Sequence, residues 1–153
     1  MSGNIIDMVN QSTTHEIVNH LALADASFVP TLSSRVDMQV YAQKLQDCAV
    51  RFEAWMGEEL VGLVACYCNQ PGNARAFVSS VSVLLQFQGL GIAERLIRHC
   101  IKHARGLGFA QIELEVDQRS LPAIGLYQKL GFNTLYIDGQ TLTMSKTLER
   151  SEP

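Results

Sequence analysis

The hydrophobic pattern of the chain changes its period in the second half of the sequence. Residues 77–83 alternate between apolar and polar positions, which predicts a strand. From Ile92 onwards the apolar spacing lengthens to about 3.6 residues, which predicts a helix with one apolar stripe. The apolar positions are Phe77, Val81 and Val83 in the first pattern, and Ile92, Leu96, Ile97, Cys100, Ile101 and Ala104 in the second. Because Gly89 and Gly91 separate the two patterns, we expect a strand that leads through a glycine turn into a helix.

A helix that begins directly after a glycine turn offers a binding site for an anion. The amides of its first turn have no partner within the helix, and the helix dipole adds partial positive charge there. We therefore predict a cradle in which backbone amides bind a phosphate or diphosphate. The residues that supply these amides are Gln88, Gly89, Leu90, Gly91, Ile92 and Ala93. No lysine follows Gly91, which excludes a Walker A loop, and Glu94 stands where a dinucleotide fingerprint needs a small residue.

The same kind of pattern predicts the other elements of the chain. Strands are predicted over residues 4–9, 51–56, 60–68, 74–84, 110–116, 134–137 and 140–148, and helices over residues 14–26, 35–49, 92–105 and 121–130. This order predicts an α/β fold with a mixed, mostly antiparallel sheet flanked by about four helices. We expect one domain over residues 1–148 and a polar tail over residues 149–153.

Several residues have the chemistry that ends or begins an element. Thr13 or Thr14 is predicted to cap the first helix, and Ser120 the last one. Gly131 is predicted to end the last helix in a left-handed conformation. Asp138 and Gly139 form a favourable turn between the last two strands.

The composition narrows the class of protein. The 153 residues are 47% hydrophobic with a net charge of −3, which is typical of a soluble domain and argues against nucleic acid as the main partner. No apolar run approaches the roughly 18 residues of a membrane span, and no basic segment precedes an apolar one at the N-terminus. We therefore expect a cytoplasmic protein that does not bind a membrane.

The cysteines and histidines of this sequence do not form a known metal-binding motif. Cys48, Cys66, Cys68 and Cys100 show no zinc spacing, so we expect reduced cysteines and no metal. His99 and His103 lie on the polar side of the predicted helix and are interpreted as surface residues.

Two blocks of the sequence resemble the GNAT superfamily of acyl-CoA-dependent N-acyltransferases. Residues 86–91 read Gln-Phe-Gln-Gly-Leu-Gly, with Ala93 behind them, and are similar to the pyrophosphate-binding motif Gln-x-x-Gly-x-Gly. Residues 114–132 are similar to the second block of the family, a strand followed by a helix with the pattern Ala-Ile-x-Leu-Tyr-x-Lys-x-Gly-Phe. The blocks stand in the order and spacing of the family, and the resemblance covers about residues 77–135.

The resemblance implies a reaction and its participants. An acceptor amine attacks the thioester of acetyl-CoA directly, with acetyl-CoA as cosubstrate. Tyr127 occupies the position of the general acid that protonates the leaving thiolate, and the amide of Val83 or a neighbour binds the thioester oxygen. Further cofactor contacts are expected at Val81, Ser82, Gln86, Ser120 and Ala123. From its spacing alone, Tyr127 is better explained as a core residue packed under Phe132; the two matched blocks together favour the acid role as well.

Two positions depart from the family pattern. Many members carry a glutamate where this chain has Ser79, so the base that deprotonates the amine is in question. Glu113, Glu115 and Asp117 share one face of the next strand and are candidates that act through water, although a solvated strand face is the simpler interpretation. Ser120 stands where the family commonly has an asparagine.

The acceptor pocket of such a fold lies between the N-terminal helices, the loop that joins them and the C-terminal hairpin. Its expected lining includes Arg35, Tyr41, Tyr67, Asn69 and Ser79. This polar lining favours the amine of a small molecule, for example an amino sugar or its nucleotide. The alternatives are a protein amine, a non-catalytic acyl-CoA sensor, or an unrelated α/β binding domain with a purely structural glycine turn. A homodimer through exposed C-terminal strands is also expected.

Overall fold

The computed structural model describes residues 4–68 and 75–148 of the chain. Within these residues the chain forms seven strands and four α-helices in the predicted order. They are β1 (Ile5–Val9), α1 (Thr14–Ala24), α2 (Met38–Cys48), β2 (Val50–Met56), β3 (Glu59–Tyr67), β4 (Arg75–Val83), α3 (Ile92–Gly106), β5 (Gln111–Asp117), α4 (Leu121–Lys129), β6 (Asn133–Asp138) and β7 (Thr141–Thr147). The predicted tail over residues 149–153 lies outside the described residues.

The strands form one sheet in the order β1-β2-β3-β4-β5-β7-β6. All neighbours are antiparallel except β4 and β5, which run parallel. The mixed, mostly antiparallel sheet that the sequence predicts is therefore confirmed. The parallel pair extends only from Arg75–Gln111 to Val78–Leu114, and beyond it the two strands separate. This separation opens a cleft in the middle of the sheet.

Helices cover both faces of the sheet. All six residues of the predicted stripe on α3 are buried against β2, β3 and β4. Gly62 on β3 permits this close packing, because a Cβ atom built there would lie 2.7 Å from Cγ2 of Ile92. On the opposite face α1 and α2 bury a second cluster that includes Leu21 and Leu45 against Leu63. Burial of each such leucine contributes about 1.5–3 kcal/mol to folding.

A β-bulge interrupts β4 at Ser79. Val78 pairs with Cys66 and Ser80 pairs with Ala65, so Ser79 is an extra residue on its strand. Val78 belongs to the core under α3, whereas Ser82 reaches α1 on the other face. The expected simple alternation from residue 77 to 83 is therefore wrong. Because of the extra residue, each side chain after Ser79 lies on the face opposite to the one it would occupy in an uninterrupted strand.

Two helix ends differ from the prediction because polar side chains bind the backbone there. α1 ends at Ala24 rather than near residue 26, since the Asp25 carboxylate accepts bonds from the amide and the hydroxyl of Ser33, both at 2.7 Å. A short 3-10 turn follows. α2 begins at Met38 rather than at residue 35, because the carboxylate of Asp37 accepts the amide of Val40 at 3.0 Å.

The capping predictions have mixed outcomes. Thr13 caps α1 in a reciprocal capping box with Glu16, and Gly131 ends α4 in the left-handed region at φ +97°. The predicted cap by Ser120 is wrong, since its side chain makes no capping bond. Pro122 explains this in part, because it occupies a first-turn position without the N–H that a cap would bind.

The remaining polar residues are only partly where they were expected. His99 is exposed, but His103 is half-buried and packs edge-on against Phe52 at 5.6 Å. The Sγ atoms of Cys66 and Cys68 lie 3.5 Å apart without a bond. Over residues 4–68 and 75–148, no three His, Cys, Asp or Glu side chains form a group suited to a metal ion. No helix in these residues has the length and apolar character needed to cross a membrane.

Candidate functional site

The glycine turn between β4 and α3 has the backbone conformation that its sequence predicts. Gly89 and Gly91 adopt φ angles of +82° and +78°, which favour glycine over other residues. Gly91 is the N-cap of α3 and brings no side chain to the start of the helix. The amides of the first turn, from Ile92 onwards, therefore remain accessible to an anionic ligand.

A cavity of about 630 Å³ extends from this turn along β4 to α4. It is lined by eleven of the thirteen residues expected to contact the cofactor: Val81, Ser82, Val83, Gln88, Gly89, Gly91, Ile92, Ala93, Ser120, Ala123 and Tyr127. The other two, Gln86 and Leu90, are exposed and do not line the cavity. For Gln86 and Leu90 the expected contacts stay predictions.

The edge of β4 that faces this cavity has backbone groups that are not bonded to β3. The amide of Leu84 donates to the carbonyl of Val61 at 2.9 Å, so these residues form a hydrogen-bonded pair of the antiparallel ladder. Alternation along the ladder then directs the amides and carbonyls of Val81 and Val83 away from β3. Because β5 has already separated, an extended ligand can bind to this edge as an added strand. The side-chain amide of Gln88 donates to the carbonyl of Val83 at 3.0 Å.

The charge at the start of α3 is balanced by ion pairs. Glu94 lines the cavity in the first turn of the helix, near the predicted anion cradle. Lys129 and Arg98 pair with its carboxylate at 2.8 Å and 2.9 Å. Hydrogen bonds from Lys129 and Arg98 lower the pKa of Glu94, so it stays ionised. The two cations offset its negative charge, which would otherwise repel a phosphate.

Tyr127 projects from α4 into the cavity. It is only 6% exposed, and burial raises the pKa of its phenol to about 12. It is therefore protonated at neutral pH and able to donate a proton. Its ring also packs edge-on against Phe132 at 6.0 Å. Tyr127 therefore both packs against Phe132, as expected, and lines the cavity.

Sequence reasoning missed a buried histidine next to the same edge. His20 on α1 is 1% exposed, and its Nδ1 lies 2.8 Å from the carbonyl of Leu60. Since a carbonyl only accepts, Nδ1 carries the proton and Nε2 accepts the hydroxyl of Ser82 at 2.8 Å. Burial lowers the pKa of His20, so the ring is neutral. The available sign was its position on the apolar stripe between Ile17 and Leu21.

A second cavity of about 440 Å³ lies between the α1–α2 connection and strands β4 and β5. Arg35, Tyr41 and Ser79 line it as expected. The hydroxyl of Tyr41 lies 3.1 Å from the carbonyl and 2.6 Å from the hydroxyl of Ser79, which joins α2 to the bulge in β4.

The other two expected acceptor residues are Tyr67 and Asn69. Tyr67 does not line the cavity, and its buried hydroxyl has no hydrogen-bond partner within the described residues. Its ring packs instead under the ammonium group of Lys44, 5.3 Å from the ring centre. Asn69 lies outside the described residues.

The three carboxylates of β5 have different environments. Glu113 is 8% exposed, lies 3.5 Å from Arg75 and is not part of the cavity lining. Asp117 is also buried, and its bonds from Arg119 lower its pKa to about 2. The solvated face expected for this strand is therefore wrong at these two positions. Glu115 and Asp117 both line the cavity, and because Asp117 is already bound by Arg119, the exposed Glu115 is the carboxylate better placed to accept a proton there.

The two cavities meet at one place. Both are lined by Ser27, Phe28, Val29, Val81, Ser120, Ala123 and Tyr127. A ligand in the first cavity and a ligand in the second can therefore come into contact beside Tyr127. This arrangement suits a direct transfer between two bound molecules.

Comparison with known proteins agrees with this geometry. Residues 17–132 match the model of the acetyltransferase (GNAT) family, and the chain belongs to that family. A relative from Bacillus subtilis, the uncharacterized N-acetyltransferase YvbK, is 28% identical over 130 residues, which cover 85% of this chain and 76% of the relative.

Solved structures share the fold. PH1933 from Pyrococcus horikoshii superimposes with a TM-score of 0.76 at 24% identity, over 95% of this chain and 99% of that one. The PaiA N-acetyltransferase from Thermoplasma acidophilum, solved in complex with coenzyme A, gives a TM-score of 0.70 at 13% identity over 93% and 99% of the two chains. At these identities the comparison supports the architecture and not a particular substrate.

Proposed function

We propose that this GNAT-family chain transfers the acetyl group of acetyl-CoA to the primary amine of a small-molecule acceptor, within a complex that holds both substrates. The observation that carries the proposal is the meeting of the two cavities at Val81 and Tyr127. Direct attack needs the amine and the thioester side by side, with a proton donor at the same point.

The first cavity is the site proposed for acetyl-CoA. Its diphosphate binds the amides at the start of α3, and its pantetheine arm follows the free edge of β4 at Val81 and Val83. The complex of the Thermoplasma relative with coenzyme A supports this choice of ligand.

The proposed reaction assigns one task to each group at the junction. As the amine nitrogen bonds to the carbonyl carbon, the amide of Val83 or a neighbour donates to the oxygen that gains charge. The carbon–sulfur bond then breaks, and Tyr127 gives its proton to the departing thiolate. Glu115 accepts the proton that the amine loses, directly or through water, and proton exchange with solvent restores both residues.

The test is a panel of small amines with acetyl-CoA and thiol release as the readout. Replacement of Tyr127 by Phe preserves the ring packing but removes the proton donor, so we expect kcat to fall about 100- to 1,000-fold. Acetyl-CoA binding, measured by the rise in melting temperature, should stay unchanged. The control Tyr136→Phe, on the exposed strand β6, should leave kcat unchanged. Acetylation of peptides but of no small amine would overturn the acceptor class, and acetyl-CoA binding without any turnover would favour a sensor.

The same proposal includes a homodimer. β6 is an edge strand, and all six of its residues are exposed, including Leu135, Tyr136 and Ile137. A second copy that pairs with this edge would cover them. Light scattering should then give twice the mass of one chain, and Ile137→Lys should return the mass to that of one chain.

A further inference from the structure

The second cavity, in which the proposed function places the acceptor amine and which is called the acceptor cavity from here on, has in its lining an exposed arginine that makes no ion pair with a described carboxylate. The arginines in ion pairs with carboxylates are Arg51, Arg75, Arg95, Arg98 and Arg119. Arg35 lines the acceptor cavity and has no such partner within residues 4–68 and 75–148. Burial raises the pKa of the neighbouring Tyr41, and the charge of Arg35 opposes that rise. Arg35 and Tyr41 line the same cavity, and Tyr41 is anchored to the bulge in β4.

The same cavity is lined by a carboxylate that also makes no ion pair with a described residue. Glu115 enters the lining from β5 and makes no ion pair with any described residue, whereas its neighbour Asp117 is held by Arg119. Arg35 comes from the α1–α2 connection and Glu115 from the sheet, so the two charges lie on different walls. A ligand that fits between them meets one positive and one negative group.

We infer that the acceptor is an amine that also carries an anionic group, a carboxylate or a phosphate. This inference rests on the proposed function and names the class of its acceptor. Arg35 binds the anionic group, since a guanidinium matches the oxygens of a carboxylate or phosphate. Glu115 faces the ammonium group and holds it near the junction of the two cavities. A polyamine without an anion would leave Arg35 uncompensated and would be repelled by it.

Matched pairs of amines test this inference. Ornithine is compared with 1,4-diaminobutane, which lacks the carboxylate, and 2-aminoethyl phosphate with 2-aminoethanol, which lacks the phosphate. In at least one pair we expect kcat/KM to be about 10- to 100-fold higher for the anionic member, the value of one charged hydrogen-bonded contact. The pair that shows this preference distinguishes a carboxylate from a phosphate.

Variants of Arg35 assign the preference to its side chain. In Arg35→Gln we expect the preference to fall below about threefold, and in Arg35→Lys to recover in part. The control Lys102→Gln removes a positive charge from the exposed face of α3, outside both cavities, and should preserve the preference. An equal rate for both members of each pair in the unaltered protein would overturn the inference, as would a preference that survives in Arg35→Gln.

Binding measured by calorimetry in the presence of CoA separates this inference from the proposed function. Tighter binding of the anionic member, without acetylation of any amine, would support the anion site and contradict acetyl transfer to small amines. Acetylation of many amines without preference, with equal binding of both members of each pair, would support acetyl transfer to small amines and contradict the anion site.

Discussion

The two cavities that meet at Tyr127 are built in different ways. The first cavity, proposed for acetyl-CoA and called the cofactor cavity here, is formed mainly by backbone. The glycine turn, the start of α3 and the free edge of β4 all come from one stretch of sequence, residues 81–93. The acceptor cavity depends on side chains from the α1–α2 connection, α2, β4, β5, α4 and β7, which are far apart in the chain. A backbone site is therefore readable from local spacing, whereas a side-chain site becomes visible only when the tertiary structure is known.

The difference also determines how each cavity is damaged. A backbone site tolerates changes of side chain but not a change of backbone conformation. A side-chain site responds to the loss of a single hydroxyl or charge. Variants that affect one cavity and spare the other therefore test whether the comparison holds.

We expect the largest effect from Gly91→Val. Gly91 has φ +78°, and a β-branched side chain disfavours that conformation by about 1–2 kcal/mol, so the amides of the cradle would turn away from their ligand. Acetyl-CoA affinity, measured by calorimetry, should fall about 100-fold or more because several charged hydrogen bonds are lost together.

The matched control is Gly108→Val at the end of α3. Gly108 has φ +90° and, like Gly91, open space around a built Cβ, but it does not line either cavity. Both variants should lose similar stability in urea, and only Gly91→Val should lose acetyl-CoA affinity. Equal losses of affinity in the two variants would show that the cradle is not a local backbone site.

We expect a smaller effect, confined to the other cavity, from Tyr41→Phe. The change removes the hydroxyl that holds Ser79 and leaves the ring in place. The KM for the acceptor should rise about 5- to 10-fold, the value of one or two hydrogen bonds, while acetyl-CoA affinity stays the same. Steady-state kinetics with each substrate varied in turn measure both. A rise in the KM for acetyl-CoA would contradict the expectation that a change in the acceptor cavity leaves the cofactor cavity unaffected.

Most of the fold was predictable because its periodic patterns are long and local. The stripe on α3 and the turn at Gly91 depend on neighbours in sequence, and both are confirmed. The bulge at Ser79 was not predictable, since the pairing of β4 with β3 determines it.

The predictions for Tyr67 and for a solvated face on β5 were wrong for the same physical reason. Tyr67 shares its strand with residues that line the core, but nothing local reveals that its hydroxyl is buried and that the residue does not line the cavity. Glu113 and Asp117 read as solvated positions because alternation does not reveal that Arg75 and Arg119 lie beside them. His20 alone gave a local indication, a polar residue on an apolar stripe.

His20 joins α1 to Leu60 on β3 and to Ser82 on β4, so its replacement tests how much the cofactor edge depends on side chains. In His20→Leu the hydroxyl of Ser82 and the carbonyl of Leu60 lose their partner, which costs about 1–3 kcal/mol of stability. We expect the KM for acetyl-CoA to rise about threefold and the KM for the acceptor to stay unchanged. A change in the KM for the acceptor alone would contradict this expectation, because it would show that His20 supports the acceptor cavity and not the cofactor edge.

The stability of the unaltered protein should also depend on pH through His20. Burial lowers its pKa in the folded state, so below the ordinary value of 6.5 the unfolded chain binds a proton that the folded chain does not. Stability is therefore lost as the pH falls from 6.5 towards 5, by at most about 1.4 kcal/mol per pH unit. Urea unfolding at several pH values should show this slope, and His20→Leu should lack it. The same slope in both proteins would assign it to other groups.

We expect a small effect from Gln88→Ala, and in the opposite direction. The side-chain amide of Gln88 occupies the carbonyl of Val83, one of the groups that an extended ligand would bind on β4. Its removal frees that acceptor, so acetyl-CoA affinity should rise about two- to fivefold, the net value of one neutral hydrogen bond. Gln86→Ala is the matched control, because Gln86 is exposed and outside the cavity, and it should change nothing. A fall in affinity in Gln88→Ala would mean that the side chain binds the cofactor, and the cradle would then depend on side chains as well as on backbone.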